Sequence, residues 1–277
     1  MNVIGIIKDA FLFPSKNTGR FAVYLLLSVL MAGFAIGGIL TYLVGFIDDM
    51  YYLLGGIYCV ISLLIGFFVS GYHIKTIKSG IELSDEIPVF ELYKDFMTGF
   101  DNIVVTIFYF IIPALIVVLV AFDTNLFSNA TALVEEVIMQ AYNVYVMGGS
   151  LNLATNAISQ SLSVLMGSLT ITVTAAIIIF LIFAVIQSMG EARLAKTGSL
   201  KEALNIFEAI KDIKRIGIVK VVIIAILMTL VIGLLEFALT AVFSHFPFLL
   251  TVVYVIITPY LSLVAQRAIG LAYSDIA

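Results

Sequence analysis

Six apolar stretches, each long enough to cross a bilayer, limit what this chain can fold into. They run over Phe21–Ile47, Tyr51–Tyr72, Asn102–Phe122, Leu162–Gln187, Ile218–Phe243 and Phe248–Gln266. A spanning helix needs about 20 mostly apolar residues. The gaps between the stretches are charged in a one-sided way. Lys8, Lys16 and Arg20 precede the first stretch, and Lys75, Lys78 and Lys94 lie between the second and third. Arg193, Lys196, Lys201, Lys211, Lys214, Arg215 and Lys220 lie between the fourth and fifth, and Arg267 follows the sixth. These are all 14 basic residues of the chain, and the gaps at Asp48-Asp49, Asp123–Ser161 and Ser244–Pro247 have none. Basic residues stay on the cytoplasmic side. The pattern predicts six spans with both termini cytoplasmic, because a seventh span would put the N-terminal bases and the most basic loop on opposite sides.

Composition points the same way. Only 12% of the residues are charged and 62% are hydrophobic, whereas soluble domains carry about 25% charged residues. The net charge of −4 says little when the two signs are partitioned across a bilayer. One cysteine, Cys59, excludes an internal disulfide and a cysteine-based metal cluster; inside an apolar run it is expected to pack. The first apolar run is too long for the core of a secretory signal, about 7–15 residues, so it is expected to remain as a span.

Three related pieces punctuate the chain: Ile6-Ile-Lys-Asp-Ala10, Phe90-Glu-Leu-Tyr-Lys-Asp-Phe96 and Phe207-Glu-Ala-Ile-Lys-Asp-Ile213. Each is amphipathic and each feeds a pair of spans. The expected fold is all-α: one polytopic membrane domain over 1–277, with six transmembrane helices as three hairpins, each preceded by an interfacial amphipathic helix. The repeat units fall near 1–72, 81–190 and 199–270, with an extracytoplasmic loop over 123–161.

In the first unit Val3, Ile6, Ile7, Ala10 and Phe11 share one side, and Pro14 and Gly19 end the helix. In the second, Pro88 opens a helix that sets Val89, Leu92, Tyr93, Phe96 and Phe100 against Glu91, Lys94, Asp95 and Thr98. That piece is expected to lie in the membrane surface. In the third, Ser199-Leu-Lys-Glu202 has the capping-box form, followed by the stripe Ala203, Leu204, Phe207, Ile210 and Ile213. This last loop is basic, so attraction to anionic lipid headgroups is expected, with Lys211, Lys214 and Arg215 as candidate contacts. Its charge is too modest and mixed for a nucleic-acid partner. In the outer loop Ala132–Val146 is expected to form a helix covering the outer surface, with a receptor or lid as the alternative.

Within the spans, Gly33, Gly37, Thr41 and Gly45 face Gly55, Cys59, Ser62, Gly66 and Ser70 across a short turn. Small residues so spaced predict a closely packed hairpin; a glycine-lined gap for a solute is the alternative. Pro113 and Pro259 are expected to kink the third and sixth spans. The fourth span carries a polar stripe of Ser163, Gly167, Thr170 and Thr174, extended by Asn156 and Gln160. It fits either interhelical hydrogen bonds or a polar path. The fifth holds Glu236, on one face with Thr229, Gly233 and Thr240. A carboxylate at membrane depth is costly and is a functional candidate by default; the structural alternatives are a protonated acid bonded to a hydroxyl, or tilt toward the outer interface. The candidate polar membrane site is therefore Glu236, Thr229, Thr240, Ser163, Thr170 and Thr174.

The runs Gly71-Tyr-His-Ile-Lys-Thr-Ile-Lys-Ser-Gly80, Asp85-Glu-Ile-Pro-Val-Phe90, Asp9-Ala-Phe-Leu-Phe-Pro14 and Arg193-Leu-Ala-Lys-Thr-Gly-Ser-Leu-Lys-Glu-Ala203 recur in an uncharacterised membrane family. The chain resembles that family, domain of unknown function 4013, found in methanogens and related archaea. The resemblance implies an archaeal cytoplasmic membrane and carries no activity or site residues with it.

No constellation of acids, bases, nucleophiles or metal ligands stands out, so neither enzyme activity nor a cofactor or metal is expected. The leading expectation is a structural or accessory protein that organises lipid or partner proteins. The alternative is a transporter or channel for a small solute or lipid with Glu236 in the path. The expected partners are the bilayer, anionic headgroups, and a membrane protein or a second copy of the chain.

Overall fold

The computed structural model describes residues 1–277 apart from the side chain of Pro247, so the outer turn at Ser244–Pro247 has one side chain outside the described residues. In chain order the helices are α1 (Val3–Leu12), α2 (Thr18–Leu43), α3 (Asp49–Ile81), α4 (Leu92–Asp123), α5 (Leu126–Tyr145), α6 (Leu151–Thr197), α7 (Leu200–Ala203), α8 (Ile206–Ile216), α9 (Ile218–Phe243) and α10 (Pro247–Tyr273), with a 3₁₀ turn at Phe13–Lys16. Six of them, α2, α3, α4, α6, α9 and α10, are long and apolar enough to cross a membrane. The chain is an all-α polytopic membrane protein. Large apolar side chains such as Leu40, Leu53, Leu119 and Leu234 stand exposed on these helices. A surface of that kind suits lipid and not water.

The helix starts follow local capping chemistry. Asn2, Asn17, Asp48, Ser199 and Asn205 each accept a backbone N–H of the following first turn. Such a bond satisfies one of the donors that a helix start leaves free. Gly217, at φ +106°, separates α8 from α9, a backbone conformation that glycine adopts without strain. The second repeat has no such break. Its amphipathic piece is the first turns of α4, which runs unbroken through Pro113 to Asp123, so the separate surface helix expected there does not form.

The segment over 123–161 is more helical than Ala132–Val146 suggested. α5 covers Leu126–Tyr145, and α6 begins at Leu151. At about 1.5 Å per residue, the 47 residues of α6 rise about 70 Å, more than twice the thickness of a hydrocarbon core.

The chain forms two compact units, 1–107 with 185–277, and 108–184. In the smaller unit α6 meets the turn after α4 through Thr124 and Thr172, hydroxyl to hydroxyl at 2.9 Å, and meets α5 through Asn129, whose amide donates to the Ser168 hydroxyl at 3.2 Å. Phe110 and Phe180 pack at 5.1 Å between ring centroids.

In the larger unit the most extensive interfaces are α2 with α3 and α3 with α10. The hairpin α2–α3 closes on Gly38, Gly55 and Cys59 rather than on Gly33 and Gly37: a methyl group at Gly38 would strike Cys59 and the Gly55 carbonyl, whereas one at Gly33 meets nothing within 4 Å. The Ser62 hydroxyl donates across the hairpin to the Met31 carbonyl at 2.8 Å. Cys59 itself is exposed on its outer side. Helices α3 and α10 cross at Gly80 and Gly270, backbone against backbone. Two apolar clusters fill the unit. One joins Ile6 and Ala10 of α1 to Ile224, Met228, Val264 and Leu271. The other joins Phe13, Tyr24, Val69, Tyr72, Ile87 and Leu263. The first shows that α1 docks between α9 and α10 as a packed element.

A methyl group at Gly270 would run into the Ile77 carbonyl, and backbone yields less readily than a side chain. Gly270→Val is therefore expected to lower stability by about 1–3 kcal/mol, the usual cost of overpacking, read as an earlier thermal transition of the purified protein. Gly33→Val, on the open face of α2, is the matched control and should melt as the parent does.

Candidate functional site

The three related pieces each contain Lys-Asp, and in all three the aspartate turns inward. Asp9, Asp95 and Asp212 each meet a base at the end of an even-numbered span. Lys75 of α3 holds Asp95 at 2.6 Å. Arg193 of α6 holds Asp212 at 2.8 Å. Arg267 of α10 holds Asp9 at 2.9 Å. The first two links pass from one hairpin to the next along the chain. The third passes from the last hairpin back to the first helix and closes the set.

These pairs are buried. The side chains of Asp95, Asp212 and Arg267 are 0%, 1% and 1% exposed. Each is further bonded, as buried charge requires. Asp95 accepts the Glu91 N–H at 2.7 Å. Asp212 accepts from the Tyr273 hydroxyl at 2.8 Å and from Arg215 at 2.9 Å. Arg267 donates to the Ser79 hydroxyl and the Ser84 carbonyl and lies 4.4 Å from the Phe13 ring centroid, a cation–π geometry. Arg193 also binds the Glu202 carboxylate and its carbonyl, so Glu202 is drawn away from the return half of its capping box.

Around this core lies a more exposed ion-pair layer. Lys16 bridges Asp9 and Asp85, and Lys75 reaches Glu91 at 3.4 Å. The hydrogen bond and charge of Lys16 hold the Asp85 carboxyl below its ordinary range. The charge of Lys75 does the same to Glu91, with help from its hydrogen bond and from Lys94. Lys211 bonds Glu208 and lowers it likewise. A small cleft lined by Arg20, Lys75, Lys78, Glu82 and Glu86 belongs to this layer, and its bases are engaged by acids or by the Ile87 and Val89 carbonyls.

The second feature is a cavity of about 490 Å³ between α2, α3 and α10. Its walls are mostly apolar, including Met31, Ala32, Ile36, Val69 and Val255. One end is polar. There His73 Nε2 lies 2.7 Å from the Tyr24 hydroxyl and 3.0 Å from the Ser262 hydroxyl, with Ser28 beside them. Tyr24 stacks on Tyr72 at 5.2 Å, and this aromatic floor closes the cavity toward the ion pairs.

The residues expected to form a polar membrane site are dispersed. Glu236 is half-buried on α9; its carbonyl accepts from the Thr240 and Tyr254 hydroxyls. Among the described residues its carboxylate has no hydrogen-bond or ion-pair partner. Thr229 is exposed and bonds its own helix at the Ala225 carbonyl. Ser163, Thr170 and Thr174 are exposed on α6 in the smaller unit, and Thr170 bonds its own helix. The polar face that α6 buries is Ser168 and Thr172. On α8, Lys211, Lys214 and Arg215 are exposed, and Phe207 beside them is 79% exposed. Lys211 and Arg215 pair with Glu208 and Asp212; among the described residues Lys214 has no ion pair.

Two features escaped the sequence reading. One is the inward turn of the repeated aspartates, which on α4 reverses the expected faces: Asp95 and Gly99 are buried while Leu92, Tyr93 and Phe100 are exposed. The other is a serine five residues before each base, Ser70, Ser188 and Ser262. That spacing was visible and marks the three bases as equivalent.

The model of a family of proteins of unknown function, DUF4013, matches residues 54–244, about two thirds of the chain. The matched residues include the Lys75–Asp95 and Arg193–Asp212 pairs and exclude the Asp9 motif. No curated protein and no solved structure matches the chain.

Removing one member of a buried pair strands the other, at a cost of about 3–5 kcal/mol. Asp9→Asn is expected to destabilise the protein by that order, and Arg267→Met with Asp9→Leu to recover most of it; thermal unfolding of the three proteins checks this. The lowered carboxyls of Asp85 and Glu91 contribute stability above the ordinary carboxylate pKa of about 4, and that contribution is lost as pH falls through their lower folded values. Hydrogen-exchange protection over residues 82–91, corrected for the intrinsic rate at each pH, should fall below pH of about 4 and stay constant between neutrality and that point.

Proposed function

The chain belongs to the DUF4013 family of proteins of unknown function, and within it we propose a structural or accessory protein of the cytoplasmic membrane that organises lipid or partner proteins. The observation that carries this reading is the closed set of buried pairs Lys75–Asp95, Arg193–Asp212 and Arg267–Asp9. Moving one hairpin against the next would part charges that are costly to leave alone. A rim locked in this way suits a fixed platform. We take the role as non-enzymatic: most carboxylates of this face are held by bases and the buried Glu191 by the Gln187 amide, whereas a general acid or base must be free to exchange its proton. The confinement of all 14 bases to alternate gaps between the spans supports placing those gaps, and both termini, in the cytoplasm. The family resemblance extends the proposal to an archaeal membrane. Exposed Lys211, Lys214, Arg215 and Phe207 suit contact with anionic headgroups.

One observation favours transport as a second reading. The unpaired Glu236 carboxylate sits in α9 one helix behind the cavity, joined to it through Tyr254.

Native mass spectrometry of protein released gently from its own membrane is expected to show a stoichiometric lipid or protein partner; a bare monomer would overturn the organising role. Reversing Lys211, Lys214 and Arg215 to Glu is expected to weaken association with anionic vesicles by about 1 kcal/mol per charge, and unchanged association would reject the headgroup contacts. Glu236→Gln is expected to leave complex formation as in the parent. Loss of solute flux in liposomes on that substitution would instead establish the transport reading.

A further inference from the structure

The cavity between α2, α3 and α10 differs at its two ends in a way that specifies a ligand. From Tyr24 to Ile36 it follows about 18 Å of helix rise, close to half the thickness of a hydrocarbon core of about 30 Å. Over that length its walls are mostly apolar; α10 adds the hydroxyls of Thr251, Tyr254 and Thr258, of which that of Tyr254 is turned to Thr240 and the Glu236 carbonyl. All of its hydrogen-bonding density near the cytoplasmic end lies in the hydroxyls of Tyr24, Ser28 and Ser262 and the imidazole of His73. Hydroxyls both donate and accept, so this end can bond a head of either sense. No lysine, arginine, aspartate or glutamate lines the cavity. A phosphate or an ammonium group would be taken out of water there with no counter-charge, at high cost.

Access is from the membrane. Ala32, Ile36, Val255 and Thr258 line the cavity and are exposed on the surface of spanning helices. The floor of Tyr24 stacked on Tyr72, above buried Phe13 and Leu263, closes the way from the aqueous side. A ligand must therefore partition into the bilayer first and carry its polar group on the end that points to the cytoplasm.

We infer that this cavity binds a single-chain amphiphile with an uncharged hydrogen-bonding head, of the long-chain alcohol type, its head on Tyr24, His73 and Ser262 and its chain along α2 toward Ile36. The inference goes beyond the organising role and does not depend on it, since a platform needs no internal ligand.

The test uses the full chain in phosphatidylcholine nanodiscs with a diazirine-bearing hexadecanol as the probe. Photolabelling is expected at residues of α2 and α10 that line the cavity, and unlabelled hexadecanol should compete with it. Hexadecyl phosphate should compete at least about tenfold less well, because its charge is unpaired in the site. Gly33→Phe places a ring in the cavity from a position where an added Cβ meets nothing within 4 Å, and it should abolish the labelling. Ile36→Trp fills the far end and keeps the result decidable if Gly33→Phe melts early. Ser262→Ala should weaken binding about fivefold, the worth of one neutral hydrogen bond. Labelling spread evenly over the lipid-facing helices, or unchanged in both filled variants, would overturn the site. Equal competition by hexadecyl phosphate would overturn the uncharged head.

Discussion

The contact between Arg267 and Asp9 is the one on which the rest of the larger unit depends. Successive hairpins are tethered by short loops, so the pairs Lys75–Asp95 and Arg193–Asp212 join parts of the chain already close in sequence. Arg267 and Asp9 stand 258 residues apart. Their bond joins the two ends of the chain and fixes α1 against α9 and α10. Apolar packing between spans cannot do this alone, because lipid tails offer an apolar side chain as favourable a surrounding as another helix does. What selects one arrangement is then the small number of polar groups that have a single good partner. Arg267 has four such partners in Asp9, Ser79, the Ser84 carbonyl and the Phe13 ring, drawn from three separate segments.

Close backbone approach makes those pairs reachable. Gly71 lies against the backbone of Asp95, Gly99 against Phe67, and Gly270 against Ile77 and Gly80. A larger residue at any of these would hold the helices apart. The base on one helix would then no longer reach the carboxylate on the next with the short geometry that offsets desolvation. Glycine and ion pair are thus two parts of one interaction: steric permission at one position and electrostatic selection four residues away, at Gly71 and Lys75.

Much of the architecture was legible in the sequence, and the reason is that it rests on sums over many residues. The six spans need only hydropathy. The faces were less legible. Successive helix positions differ by about 100°, so a face misjudged by one residue points elsewhere. On α2 the packed glycine is Gly38 and not Gly37; on α6 the buried hydroxyls are Ser168 and Thr172 and not Thr170 and Thr174. On α4 the error had a different source. Amphipathic periodicity says that two faces differ, and in water the apolar one is inside. At a membrane boundary the apolar face meets lipid, and the polar face can be the one that packs, provided that a base such as Lys75 is waiting for it.

The three Lys-Asp motifs supply the ion pairs, and the residues that differ beside their bases supply the candidate binding site. The serine that precedes each base by five residues has three different fates. Ser70 accepts from the Asn102 amide, tying α3 to α4. Ser188 bonds back within its own helix, to the Val185 carbonyl. Ser262 meets His73 and Tyr24, which have no counterpart in the other two repeats, since the position of His73 is taken by Glu191 in the second and Ala265 in the third. Serines at the same spacing therefore serve helix contact, a bond within one helix and the polar end of a cavity. A chain that needed only a rigid rim could have kept the three alike. The departure at His73 places hydrogen-bonding groups where packing requires none, and that is where selective binding rather than stability accounts for the residues present.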